Sequence, residues 1–270
     1  MTTSTGHRLP LSPTPRTTLN RGKERGRTDR SELDAVLDAG LVCHLGVVLG
    51  GSPVVLPTAY GRDGDTLYLH GSTGAGNLRA APAGDISVAV TLVDGVVYAR
   101  SAMHFSMNYR SAVVRGRAVE VTDQAERVHG LRVIVEHAAP GSWDRVRPPN
   151  KKEMAATAVL SLDLTEASVK VRTGGPKDDA DDIAAGGVWA GVVPLRQVWD
   201  TPVPSDDLEP EVAVPSDVRD RALNSATRSE GADRFGLPEF ERNTDGRRHL
   251  GDQFPQRRGG GDAAGVEGDQ

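Results

Sequence analysis

Only one cysteine, Cys43, occurs in the 270 residues. A lone thiol rules out an intrachain disulfide framework and fits a reducing compartment. No apolar run approaches the roughly 18 residues of a membrane span. The first residues, MTTSTGHRLPLSPTPRTTLNRGKERGR, lack the apolar core of a secretory signal. Cytoplasm is therefore the expected location. Positive charge is not in surplus either: the formal net charge of −5 argues against non-specific nucleic-acid binding as the main role. Several chemical signatures are missing. No Gly-Lys-Ser/Thr follows the glycine-rich segment at 71–76, so there is no Walker A loop, and no Gly-x-Ser-x-Gly elbow occurs. His44, His70 and His104 with Cys43 lack compact metal-ligand spacing, so no structural metal is expected.

What is present is uneven. Residues 1–27 are rich in Thr, Pro and Arg without apolar periodicity and read as a disordered arm. Residues 205–270 scatter Asp, Arg and Gly and read as a mostly disordered tail, with a short helix around Asp217–Ser225. Residues 28–204 remain as one domain of ordinary single-core size.

That domain opens with a helix. Asp29 and Glu32 have capping-box spacing, and Leu33, Val36 and Leu37 form an apolar stripe ending at Gly40. The pattern then turns to strands. LVCHLGVVL, the turn residues Gly50, Gly51 and Ser52, and PVVLPTAYG predict a hairpin. Asp63-Gly64 predicts a tight turn into DTLYLHG. DISVAVTLVD, Gly95 and VVYARSA predict a third pair, and SAVVRGRAVEVT another strand with a bulge at Gly116. A helix is predicted from Asp123 to His137, with Val128, Leu131 and Val135 on one face. Asn150 caps a short turn ending near Ala156. TAVLSLDL alternates, placing Ala158, Leu160, Leu162 and Leu164 together, and ASVKVRTG follows. About seven strands joined by short turns predict a mainly β, mostly antiparallel barrel or sandwich with a few helices.

Four segments could carry chemistry. His70-Gly71-Ser72-Thr73-Gly74-Ala75-Gly76-Asn77 ends a strand and opens a short helix, where small residues expose N–H groups to an anion. Its plain alternative is a flexible turn. Residues 100–111, RSAMHFSMNYRS, are dense in donors, and Arg110 with flanking hydroxyls suits a phosphate. The alternative is an Arg and Tyr bracing a barrel corner. In SVKVRTG, strand period puts Lys170 and Arg172 on one face, roughly 6–7 Å apart. That pair is either a solvated face or an anion site. Trp189 in WAGVVP offers a flat surface for an aromatic ligand or simply packs in the core.

Taken in order, HGSTGAGN, VDGVVYARSAMHFSMNYRS, PGSW, ASVKVRTGGPKDDADD and WAGVVP resemble the nitroimidazole-resistance-like, FMN-binding members of the pyridoxamine 5′-phosphate oxidase superfamily. The resemblance covers about residues 28–205. It implies a six-stranded antiparallel split β-barrel with peripheral helices, forming a homodimer with FMN between subunits. It implies Pro57, Thr58 and Ala59 along the isoalloxazine edge, and Tyr68, Leu69 and His70 under the ring and ribityl chain. It implies Ser72, Thr73, Gly76 and Asn77 at the phosphate, helped by Asn108, Arg110 and Ser111. Lys170, Arg172 and Trp189 would close the ring end. Any acid–base role would fall to His70. The implied activity is electron transfer from a reduced nicotinamide to a small nitroaromatic- or quinone-like acceptor. A non-catalytic flavin store or sensor, or a split barrel using haem or the deazaflavin F420, are the alternatives. For haem, His70 or His104 would be the axial-ligand candidate.

Overall fold

The computed structural model describes residues 10–11, 14–76 and 80–222. Asn77 and most of the expected C-terminal tail lie outside the described residues. Among the described residues no helix is long and apolar enough to cross a membrane.

Asp29 caps helix α1 (Arg30–Ala39) by accepting from the Ser31 N–H, and the helix buries Leu33, Val36 and Leu37. Strands β2 (Val42–Leu49) and β3 (Ser52–Asp63) form the expected hairpin, turned by Gly50 and Gly51 at φ +56° and +81°. These positive angles suit glycine, which has no Cβ to clash. Gly64, also at φ +56°, turns β3 into β4 (Thr66–Ser72).

The predicted third hairpin is instead one strand, β5 (Ile86–Tyr98), with a register shift between Val93 and Gly95. Gly95 thus marks a bulge rather than a turn. Strand β6 (Ser106–Gly116) pairs along β5, so half of the donor-rich segment is strand. Gly116 ends that strand rather than bulging within it. The sheet is completed by short β1 (Gly26–Arg27) and β7 (Val119–Glu120), then β8 (Thr157–Asp163), β9 (Ala167–Arg172) and β10 (Gly191–Pro194).

All pairings are antiparallel, in the order β1-β9-β6-β5-β2-β3-β4-β8-β7, with β10 added on β5. The path does not close on itself. It holds ten strands where the resemblance implies six, because short strands extend both edges and β10 doubles β5. Strand β3 joins the two halves. Its residues 52–59 pair with β2, and residues 60–63 pair with β4. This is the split barrel.

Side chains alternate accordingly. Leu67, Leu69, Leu160 and Leu162 face the main core with Cys43, Leu45, Val88, Val90 and Val169. Tyr68 and Val159 face the other way and form a second cluster with Val121 and Ile134. Helix α2 (Gln124–Ala138), capped by Asp123 at the Glu126 N–H, covers that second face. Gly130 and Ile134 are its buried residues; of the predicted Val128, Leu131 and Val135 stripe, Leu131 packs half-buried against the second cluster. The lack of a side chain at Gly130 selects this face: a Cβ there would lie 2.8 Å from Tyr68 Cδ1. Asn150 and Glu153 form a reciprocal capping box on α3 (Lys151–Ala156).

The N-terminal segment adds to the core. Leu11 is buried in the main cluster, and its N–H bonds the Thr28 carbonyl at 2.8 Å. Arg16 pairs with both Asp85 and Glu166, and Thr14 Oγ1 donates to Glu166 at 2.6 Å.

Strand β3 also approaches α2 closely. A Cβ at Gly61 would meet the Val133 carbonyl oxygen at 2.6 Å, and backbone cannot swing aside. Gly61→Ala is expected to lower unfolding free energy by about 1–3 kcal/mol, read by urea denaturation. An unchanged midpoint and slope would show that α2 does not seat this closely.

Candidate functional site

Strand β4 carries the first element of the site. His70 follows Tyr68 on the face opposite the main core and pairs in register with Val159. Its side chain is partly buried, and its Nδ1 is buried with no hydrogen-bond partner. Desolvation lowers its pKa below the ordinary 6.5, and no other cause contributes. His70 is therefore a neutral imidazole with an unused nitrogen. A buried polar atom without a partner costs free energy unless something bonds it.

The chain then enters a tight turn. The Gly74 N–H bonds Ser72 Oγ at 3.2 Å, the Ala75 N–H bonds the Ser72 carbonyl at 2.9 Å, and the Thr73 N–H bonds the Ala156 carbonyl at 2.9 Å. Ser72, Thr73 and Gly76 are exposed. Pro57 is exposed and lies opposite His44, while Thr58 and Ala59 are partly covered, Ala59 against the second cluster. Tyr68 is 6% exposed beneath α2, and Leu69 is fully buried in the main core. Leu69, paired with Tyr60 on one side and Leu160 on the other, presents no accessible surface to a ligand.

The second element lies where β6 meets β9. Arg172 is 7% exposed and Asn108 is 0% exposed. Arg172 Nη1 donates to Asn108 Oδ1 and to the Gly174 carbonyl, and Nη2 donates to the Gly175 carbonyl. Asn108 Nδ2 is buried without a partner. Burial, followed by the charge on Arg25, pushes the Arg172 pKa down, and Tyr109 opposes this. Lys170 and Arg172 stand opposite Ser111 and Tyr109 of β6. Arg110 behaves differently: its fork is bidentate on Asp94, at 2.9 and 2.7 Å. That pairing leaves the Nε–Nη2 edge already committed.

A third element is aromatic. Trp189 is 65% exposed and meets Tyr98 edge-on at 5.6 Å, and Tyr98 meets Phe105 at the same distance. Behind them the Asp178 carboxylate takes two bonds from Arg100, at its N–H and its guanidinium. His104 Nδ1 lies 3.8 Å from Asp178 and is buried without a hydrogen bond. Tertiary structure also gathers His104, Asp179 and Asp182, whose ligand atoms lie within 4.8 Å of one another. That grouping is invisible in sequence spacing.

The expected site residues thus fall into three groups: β3, β4 and the following turn; Asn108, Ser111, Lys170 and Arg172; and Trp189. Asn77 is outside the described residues. Sequence reasoning missed Tyr98, Phe105 and Asp178, although all lie in or beside the quoted segments. It also missed Arg25, which has no periodic signal and sits in a segment read as an arm.

The family model described as pyridoxamine 5′-phosphate oxidase matches residues 29–171. The chain belongs to this family. It is a flavin-binding split-barrel family. A flavocytochrome, Anf3 from Azotobacter vinelandii, is 42% identical, with 77% of this chain and 97% of that one covered, at a TM-score of 0.74. A FAD and heme binding protein from Mycobacterium smegmatis is 38% identical, covering 73% and 97%, at a TM-score of 0.70. No curated protein matches the chain.

The donors in this family member suit a flavin nucleotide. His70 and Asn108 each keep a buried polar atom without a partner, and Arg172 is a buried cation with no carboxylate among the described residues.

The His70 environment sets a pH dependence. The folded form prefers neutral imidazole, so its pKa lies below that of the unfolded chain. Between those two values the unfolded chain binds more protons, and stability falls as pH falls. The contribution is intact above about pH 6.5 and is lost through the depressed folded pKa. His70→Gln should flatten the loss of stability below about pH 6.5, measured by thermal unfolding across pH. An NMR midpoint for His70 above the ordinary value would overturn the assignment.

Proposed function

We propose that the protein is a redox protein that binds a flavin nucleotide, FAD by preference, together with haem. The single observation that carries this reading is the buried, unpartnered Nδ1 of neutral His70 at the end of β4. A neutral imidazole with a free nitrogen is a suitable axial ligand for haem iron. His104 is the weaker candidate, because its ring faces the Asp178 carboxylate at 3.8 Å. The two relatives at 42% and 38% identity, a flavocytochrome and a FAD and heme binding protein, support the pairing of cofactors. FMN remains the choice implied by the motifs alone.

The flavin, when bound, supplies one- and two-electron redox chemistry. The chain's residues supply position and environment. The Ser72–Gly76 turn offers N–H groups and hydroxyls to an acidic group. Trp189, Tyr98 and Phe105 offer flat apolar contact. Reduced nicotinamide as donor and a small quinone- or nitroaromatic-like acceptor complete the proposed reaction. A second copy of the chain would cover the outer face of β2 and β3, where Val42, Val48 and Val55 are 49%, 60% and 65% exposed. The location proposed is the cytoplasm.

The test is spectroscopic. Purified protein given FAD and haem is expected to show flavin bands and a Soret band. His70→Ala should lose the Soret band and keep the flavin, whereas His104→Ala should keep both. Wild-type protein that takes up neither cofactor would refute the proposal. Loss of the Soret band in His104→Ala alone would move the ligand.

A further inference from the structure

The Arg172 neighbourhood has an unbalanced charge. The residue is 7% exposed, yet the three hydrogen bonds of its guanidinium go to neutral oxygens: Asn108 Oδ1 and the Gly174 and Gly175 carbonyls. Its Nε donates to no protein atom among the described residues. The neighbouring Asn108 is 0% exposed and holds Nδ2 without a partner. A buried cation without an anion is costly. Two donors therefore wait beside one desolvated charge.

A second cation comes from the N-terminal segment. Strand β1 pairs with β9 through Gly26 opposite Lys170 and Arg27 opposite Val169. That register puts Arg25 alongside the end of β9 that carries Arg172. Arg25 is near enough for its charge to push down the Arg172 pKa. The acid nearest Arg25 is Glu24, 59% exposed at 3.5 Å, a weakly held surface partner. Lys170 shares the face of Arg172. A carboxylate would neutralise one of these charges, whereas a phosphate dianion matches two. The planar guanidinium fork fits phosphate oxygens.

We propose that Arg172, Asn108 and Arg25 form a seat for the phosphate or diphosphate of a nucleotide, completed only when the N-terminal segment is docked. The carrier follows from the flavin reading, on which this identification rests, but the seat itself is defined by charge and donors alone. Occupancy and docking are then linked: the anion holds Arg25 in place, and docked Arg25 raises anion affinity. Leu11 in the main core and Arg16 on Asp85 and Glu166 hold the same segment from its other end.

Two measurements on the full chain test this. In the first, thermal unfolding is followed with inorganic pyrophosphate against chloride at equal ionic strength. Pyrophosphate is expected to raise Tm for wild type and not for Arg25→Gln. In the second, FAD, FMN and riboflavin are titrated by fluorescence. Arg25→Gln and Arg172→Gln are expected to weaken FAD and FMN by about tenfold or more and to leave riboflavin unchanged. Equal losses for riboflavin and FAD, or wild-type affinity in both variants, would overturn the seat. If Arg172→Gln does not fold, Arg25→Gln decides, since the Arg25 side chain is 35% exposed and no residue of Lys23–Arg25 is buried. If wild type binds no flavin, the flavin reading fails, and the pyrophosphate shift still decides the seat. No shift in that case overturns it too.

Discussion

Burial of strand β4 on both faces is the constraint on which the rest of the structure depends. Leu67 and Leu69 enter the main core, and Tyr68 enters the second cluster. A strand covered on both sides must be met by two layers. One is the barrel interior. The other is α2, which reaches the strand closely because Gly130 and Gly61 carry no side chains at the contacts. His70 comes next on the Tyr68 face, where that cover thins. There a ring nitrogen is dry but unbonded, which sets its protonation and makes it available to a ligand.

The same two-layer logic explains the inert groups. Tyr60 is fully buried, its hydroxyl reaches the Leu37 and Gly40 carbonyls at 2.5 and 3.0 Å, and its pKa is raised by desolvation. It closes the C-terminus of α1 and has no proton to offer near pH 7. The Cys43 thiol is fully buried in the main core and its pKa is pushed up to about 12. Such a thiol is a small hydrophobe rather than a nucleophile. The groups left with chemical capacity lie at the barrel margins: His70, the Arg172–Asn108 pair, and the aromatic cluster around Tyr98.

Much of the fold was legible. Glycine pairs and Asp-Gly marked the first two turns, and alternation in 157–164 marked β8 with its core leucines. The misread places share a cause. Gly95 looks like a turn residue because glycine is permissive. In the fold it is a bulge, and a Cβ there would lie 2.9 Å from the Val193 oxygen of β10. The α2 stripe caught Leu131 but missed the centre of the buried face, because a buried glycine has no hydrophobicity to announce it. For the candidate site, the ordered motifs picked out segments that the fold gathers into three groups. They did not separate Arg110, neutralised by Asp94, from Arg172, which pairs with no acid among the described residues. Both arginines look alike in sequence, and only the partner distinguishes them.

By itself the sequence determined the antiparallel β class, the first two hairpin turns and the family. These follow from local chemistry: side-chain period, φ preference, and ordered motifs. Tertiary structure alone decided which cations are compensated, which polar atoms are buried without partners, and how residues 14–28 reach β9. Those properties depend on atoms far apart in the chain. Arg25 and Arg172 become neighbours only because β1 pairs with β9. No spacing rule encodes a desolvated charge, since burial is a property of the whole packed fold.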